Sequence, residues 1–256
     1  MISVLYDSHI HLTDTEYDNF LPSILVTLKG MSIKACSVTV NTSTSLKALR
    51  LFGEKDVHNS VYNFLGIHPQ YADENISQFK EMVSSNIHNI DGIGEIGLDP
   101  TYYNQEKNTK VIQDQVFNQM LTIAETYDKP ISVHSRQSLD EILNVLSTYN
   151  LKKACLHWFD GTPQQLEKSL DMSLYISYGP PLIYSKKKHS LLKLTDQGKL
   201  LIETDGPVKY PSCLKNVITL PTSALMSVVR SMSEVLCLTP KNVAEKLEKN
   251  SILFFD

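Results

Sequence analysis

Pro130-Ile131-Ser132-Val133-His134-Ser135-Arg136 is a short run of β-formers that stops at a histidine. Helical patterns lie on both sides of it. Val116, Met120, Ile123 and Tyr127 recur at helical spacing within 111–127, and Ile142, Leu143 and Leu146 do so within 139–149. A strand between two amphipathic helices is the repeating unit of a parallel sheet. The same unit recurs along the chain. β-rich runs are read at Ser3–Asp7, Ala35–Val40, Tyr62–Ile67, Gly92–Ile96, Pro130–Val133, Ala154–His157, Leu174–Ser177 and Leu200–Glu203. A further helix is read over Asp18–Leu28, and Thr162 before Pro163 reads as an N-cap with proline at the next position. Eight runs are what a closed parallel barrel needs. A doubly wound open sheet is the competing layout. The count favours an α/β fold, a single (β/α)8 TIM barrel occupying residues 1–256 as one domain.

The chain has 256 residues, and barrels of this kind commonly run to about 250. Hydrophobic residues make up 42% and charged residues 20%, with a formal net charge of −4. That balance argues against a generally basic coat for nucleic acid, while leaving room for a local basic patch. No secretory signal is read at the start, and no run reaches the roughly 18 apolar residues of a membrane span. Cys36, Cys155, Cys213 and Cys237 form no CxxC pair and read as buried thiols of a cytoplasmic protein.

The ends of the β-runs carry the chemistry. They read Asp7-Ser8-His9-Ile10-His11, Gly66-Ile67-His68-Pro69, Gly94-Glu95-Ile96-Gly97-Leu98-Asp99, His134-Ser135-Arg136, His157-Trp158-Phe159 and Glu203-Thr204-Asp205-Gly206-Pro207. In a barrel these ends ring the C-terminal mouth, where active sites lie. His9 and His11 stand two apart, so a strand turns both to one face, able to reach one metal. Glu95 lies in an apolar strand, where an unpaired carboxylate would cost several kcal/mol, so it is paired or ligating. Taken singly, each histidine reads as readily as a satisfied core or loop residue, and Asp205 as a helix cap. Taken together, four histidines and two carboxylates at one mouth read as a binuclear metal site. Imidazole with carboxylate suits Zn, Mn, Fe or Co, whereas Mg prefers oxygen.

The ordered set DSHIHLT (7–13), GIHPQ (66–70), GEIGLD (94–99), PISVHSR (130–136), HWFDG (157–161), YISYG (175–179) and IETDGP (202–207) resembles the TatD family of metal-dependent deoxyribonucleases, within the amidohydrolase superfamily. The resemblance spans most of the chain. It implies two divalent ions, Mg, Mn or Zn, with His9, His11 and Asp205 on one, His134 and His157 on the other, and Glu95 bridging. It puts His68 beside the substrate phosphate. It also implies hydrolysis of DNA phosphodiesters, as an exonuclease on strand ends or single strands. The chain departs from the family pattern at Trp158, where a small residue is usual, at Pro180-Pro181, and at Val208-Lys209-Tyr210-Pro211 with no clear Arg-Asn after it. These departures leave the metal residues intact and bear on substrate preference.

The expected chemistry is metal-assisted hydrolysis with Asp205 as general base and Glu95 and His68 also in the catalytic set. Arg136 either grips a phosphate through its planar fork or pairs with a nearby acid. Lys186-Lys187-Lys188-His189 reads as a solvated helix start or as a local attraction for phosphate. Trp158, Phe159 and Tyr102 are aromatics that could stack on exposed bases, although core packing is the commoner use. Two rival functions remain on these residues: another binuclear-metal hydrolase (amidase, lactonase or phosphotriesterase), or a metal- or nucleic-acid-binding protein without turnover. No membrane partner is expected.

Overall fold

Proline and glycine set several boundaries of the fold. The computed structural model describes residues 3–53, 59–104 and 106–256. Its strands are β1 (Leu5–Ile10), β2 (Ile33–Val38), β3 (Val61–Leu65), β4 (Gly92–Gly97), β5 (Ile131–His134), β6 (Ala154–Leu156), β7 (Tyr175–Tyr178) and β8 (Leu200–Ile202). They belong to one sheet in the order β1 to β8. The α-helices among the described residues are α1 (Leu21–Gly30), α2 (Thr42–Phe52), α3 (Ile76–Asn86), α4 (Lys110–Thr126), α5 (Leu139–Leu146), α6 (Pro163–Asp171), α7 (Lys186–Leu194), α8 (Pro211–Leu214), α9 (Pro221–Leu236) and α10 (Pro240–Phe255). The fold is therefore α/β of the (β/α)8 type, with every expected β-run present as a strand.

The differences are local. β1 continues to Ile10, so His9 lies within the strand and is fully buried. α1 begins at Leu21 rather than Asp18, because Pro22 has no N–H and is tolerated only in the first turn. Cys36 and Cys155 are buried as expected, but Cys213 is half-buried and Cys237 is exposed, closing α9 at φ 55. Lys186 does start α7, with Ser185 as its N-cap, yet Lys188 is buried rather than solvated. Among the described residues no helix is long and apolar enough to cross a membrane.

The contacts gather into two compact units, Met1–Cys36 with His157–Asp256, and Ser37–Leu156. In the first, β7 and β8 pair in parallel with Ser177 opposite Leu201. The end of β1 is tied to the segment after β8, since Asp205 donates its N–H to the His9 carbonyl at 2.9 Å and His11 donates to the Gly206 carbonyl at 2.8 Å. α10 lies along β1 and β8. Phe255 stacks on Tyr6 with centroids 6.0 Å apart, and Phe254 meets Tyr175 at 5.1 Å. α6 opens on a capping box between Thr162 and Gln165.

In the second unit β3, β4, β5 and β6 pair in parallel, with Leu65 opposite Ile93, Gly97 opposite His134, and Val133 opposite Leu156. Their side chains are buried almost without exception, as strands covered on both faces require. The register between β4 and β5 shifts between Ile93 and Ile96, around Glu95. Gly97, at φ 154, permits the close approach there: a Cβ would run into the His134 carbonyl oxygen.

Candidate active site

In the first unit, β1 carries His9 inward and His11 just beyond its end, while the segment after β8 presents Asp205 at φ 49. Nε2 of His11 lies 3.3 Å and Nε2 of His9 3.6 Å from Oδ1 of Asp205. One ligand atom from each of the three falls within 4.8 Å of the others. His157, directly after β6, stacks on His9 with ring centroids 3.8 Å apart and planes 10° from parallel. Two imidazoles and a carboxylate converging in a buried place form a donor set that suits a divalent transition ion.

The second unit gathers His68, Glu95 and His134, again with ligand atoms within 4.8 Å. Oε1 of Glu95 is 2.8 Å from Nδ1 of His134 and 3.6 Å from Nε2 of His68. Nδ1 of His68 accepts the Gln70 N–H at 3.1 Å, because His68 caps the short 3-10 turn Pro69–Tyr71. In the neutral ring that leaves Nε2 to carry the proton. Nε2 of His134 meets Oδ2 of Asp99 at 2.9 Å. Arg136 belongs to neither cluster and is exposed in the turn after β5.

Burial and pairing oppose each other at these groups. Burial works to raise the Asp205 carboxyl, but the hydrogen bond with His11 and the charges of His9, His157 and His11 hold it below its ordinary range. Burial likewise works against a charged His134. The hydrogen bonds to Asp99 and Glu95 outweigh it and raise the imidazole to about 9. Asp99 is disfavoured by burial but drawn below its usual range by His134 and Thr101. Two further carboxyls are pushed up by burial: Glu203 to about 7 and Asp7 to about 8. Asp7 accepts from the Thr204 N–H at 2.9 Å and the Thr204 hydroxyl at 2.6 Å, which fastens the residue next to Asp205.

Asp99, Glu203 and Asp7 stand in the strand-end motifs, but the sequence alone gives them no role. The signal was available for Asp99. It stands four residues after Glu95 at the end of an apolar strand, and a buried carboxylate there needs a cationic or hydrogen-bonding partner.

The sequence profile described as "TatD related DNase" matches residues 6–256. An uncharacterized metal-dependent hydrolase of Bacillus subtilis, YabD, is 26% identical over 98% of this chain and 99% of its own. The human deoxyribonuclease TATDN3 is 25% identical over 98% of this chain and 94% of its own. Among solved structures, the TatD homologue YJJV of Escherichia coli superposes with a TM-score of 0.87 at 21% identity, covering 100% of this chain and 99% of that one. A TatD-family hydrolase of Entamoeba histolytica gives 0.85 at 20% identity, covering 100% and 99%. With the fold, the clustered His and carboxylate residues and a profile match over nearly the whole length, the chain belongs to the TatD related DNase family of metal-dependent hydrolases.

Proposed function

We propose that this hydrolase cleaves DNA phosphodiesters, acting on strand ends or single strands as an exonuclease, in the cytoplasm and as a single domain. The observation that carries the reading is the convergence of His9, His11 and Asp205, within a chain whose relatives include a deoxyribonuclease. One divalent ion is proposed on those three residues and a second on His134 and His157, with Glu95 serving both, as the family resemblance implies. Mg, Mn and Zn are the candidates. Bound ions of this kind act as Lewis acids and bring the pKa of water toward neutrality.

The side chains supply the rest. Asp205 is charged, buried and beside two histidines, and takes the proton of the attacking water. His68, with its Nε2 proton, donates to a phosphoryl oxygen or to the leaving group. Arg136, exposed beyond β5, orients a phosphate by paired N–H donation.

The test is cleavage of end-labelled single- and double-stranded DNA by protein stripped of metal and reloaded with Mg, Mn or Zn in turn. Metal-dependent shortening from one end is the expected result. Hydrolysis of simple esters with no DNA cleavage under any of the three ions would overturn the reading.

A further inference from the structure

We propose that Trp158 is a stacking platform for a nucleobase of the substrate, and so sets a preference for base-bearing phosphodiesters. The inference rests on the DNA reading above. Trp158 is the only tryptophan of the chain and directly follows His157. Its backbone lies at φ 44, a region that bulky residues rarely enter. Such a conformation persists only where the surroundings over-determine it, and these places cluster at ligand clamps and active sites.

The surroundings here do so from three sides. The Trp158 N–H donates to Oε1 of Glu203 at 2.6 Å. The Phe159 N–H donates to the Ser177 carbonyl at 3.2 Å. The Phe159 carbonyl accepts from the buried Lys188 ammonium, which also meets Asp160 at 3.1 Å. The backbone thus held carries the indole against the ring of Tyr210, centroids 5.4 Å apart and planes 28° from parallel. Tyr210 is buried, and its hydroxyl donates to the Thr204 carbonyl at 2.8 Å, one residue before Asp205.

Core packing alone accounts poorly for this arrangement. Phe159 and Tyr178 fill the interior of this unit and are 0% and 1% exposed. Trp158, directly before Phe159, has a strained backbone and remains partly exposed. A partly exposed residue whose ring is backed by a fixed aromatic is a preorganised surface for another flat ring. Every base has such a face, so stacking holds a nucleotide without reading its identity.

Metal-loaded wild type, Trp158→Ala and Trp158→Phe are compared on a short single-stranded oligonucleotide and on the same oligomer made abasic at its ends. Trp158→Ala should raise KM on the base-bearing oligomer by about 5–150-fold. It should leave kcat and the abasic oligomer nearly unaffected, and Trp158→Phe should recover part of the loss. Because there is one tryptophan, wild-type emission reports the site directly. It should be quenched by a phosphorothioate oligonucleotide along the binding curve given by anisotropy of the labelled strand. Unquenched emission at saturation, or equal losses on both oligomers, would overturn the platform. If Trp158→Ala fails to fold, the Phe variant and the wild-type quenching decide. A wild type that cleaves DNA while Trp158→Ala is unimpaired removes the platform alone. A wild type that neither binds nor cleaves DNA removes the nuclease reading and the platform with it.

Discussion

Oδ2 of Asp99 lies 2.9 Å from Nε2 of His134, the ring nitrogen opposite the one that faces Glu95. A carboxylate behind a histidine holds the proton on the nitrogen it faces and so turns the opposite nitrogen toward metal binding. Asp99→Asn can present its amide N–H to Nε2 and favour the wrong tautomer. Metal affinity should then fall about 10–100-fold, the usual cost of losing such a partner. Titration of metal-stripped protein measures it. Unchanged affinity with unchanged melting would reduce Asp99 to a cap for Thr101, whose N–H it accepts at 2.8 Å.

That double use explains what was and was not readable beforehand. The strands were readable because buried parallel strands are continuous apolar runs, and each histidine stood out where such a run stopped. Asp99 is only half legible: its place after an apolar strand calls for a partner, but the sequence does not name which. Its Oδ1 caps a 3-10 turn, so its sequence context is that of any capping aspartate, and only coordinates show the other oxygen on His134. Lys188 was hidden for a different reason. In a run of three lysines it looks solvated, but the helix turns the third one inward to the Phe159 carbonyl. The first β-run reads as ending at Asp7, where the polar residues begin. The Asp7 carboxyl instead finds three backbone and hydroxyl donors, at His9 and Thr204, and the strand continues past it.

Thr204→Val keeps the shape of Thr204 and removes the hydroxyl that Asp7 accepts at 2.6 Å. A buried carboxyl that loses a donor costs about 1–3 kcal/mol. In a chain of this size each kcal/mol moves Tm by about 2–4 °C. Thr204→Ser keeps the hydroxyl and should melt close to wild type. Calorimetry of the two variants side by side checks this. Equal melting of the Val and Ser forms would show that the hydroxyl carries no stability.

Gly97→Ala tests the strand approach beneath His134. At φ 154 an alanine is strained, by about 1–3 kcal/mol, and its Cβ meets the His134 carbonyl as well. The variant should lose at least that much stability in urea unfolding. Metal affinity should fall with it, since β5 must retreat and carry His134 away from Glu95. A variant of wild-type stability would mean that the strands separate freely at this point.

His68 divides two ways of using the second cluster. It lies 3.6 Å from Glu95 and falls within reach of a metal held by Glu95 and His134, so a ligand role is open to it geometrically. Its own hydrogen bond argues for the other use. Nδ1 is occupied by the Gln70 N–H, and an Nε2 proton is what a phosphoryl oxygen or departing oxygen requires. Positioned proton transfer contributes about 10²–10⁴-fold to a rate. His68→Ala should therefore lower kcat on DNA by roughly that range while metal stoichiometry stays normal. Tm should fall only modestly, because the Gln70 N–H can turn to water. Metal content, melting and cleavage are measured on one preparation. Loss of one ion per chain would make His68 a ligand, and full cleavage would reduce it to a cap for the turn at Pro69.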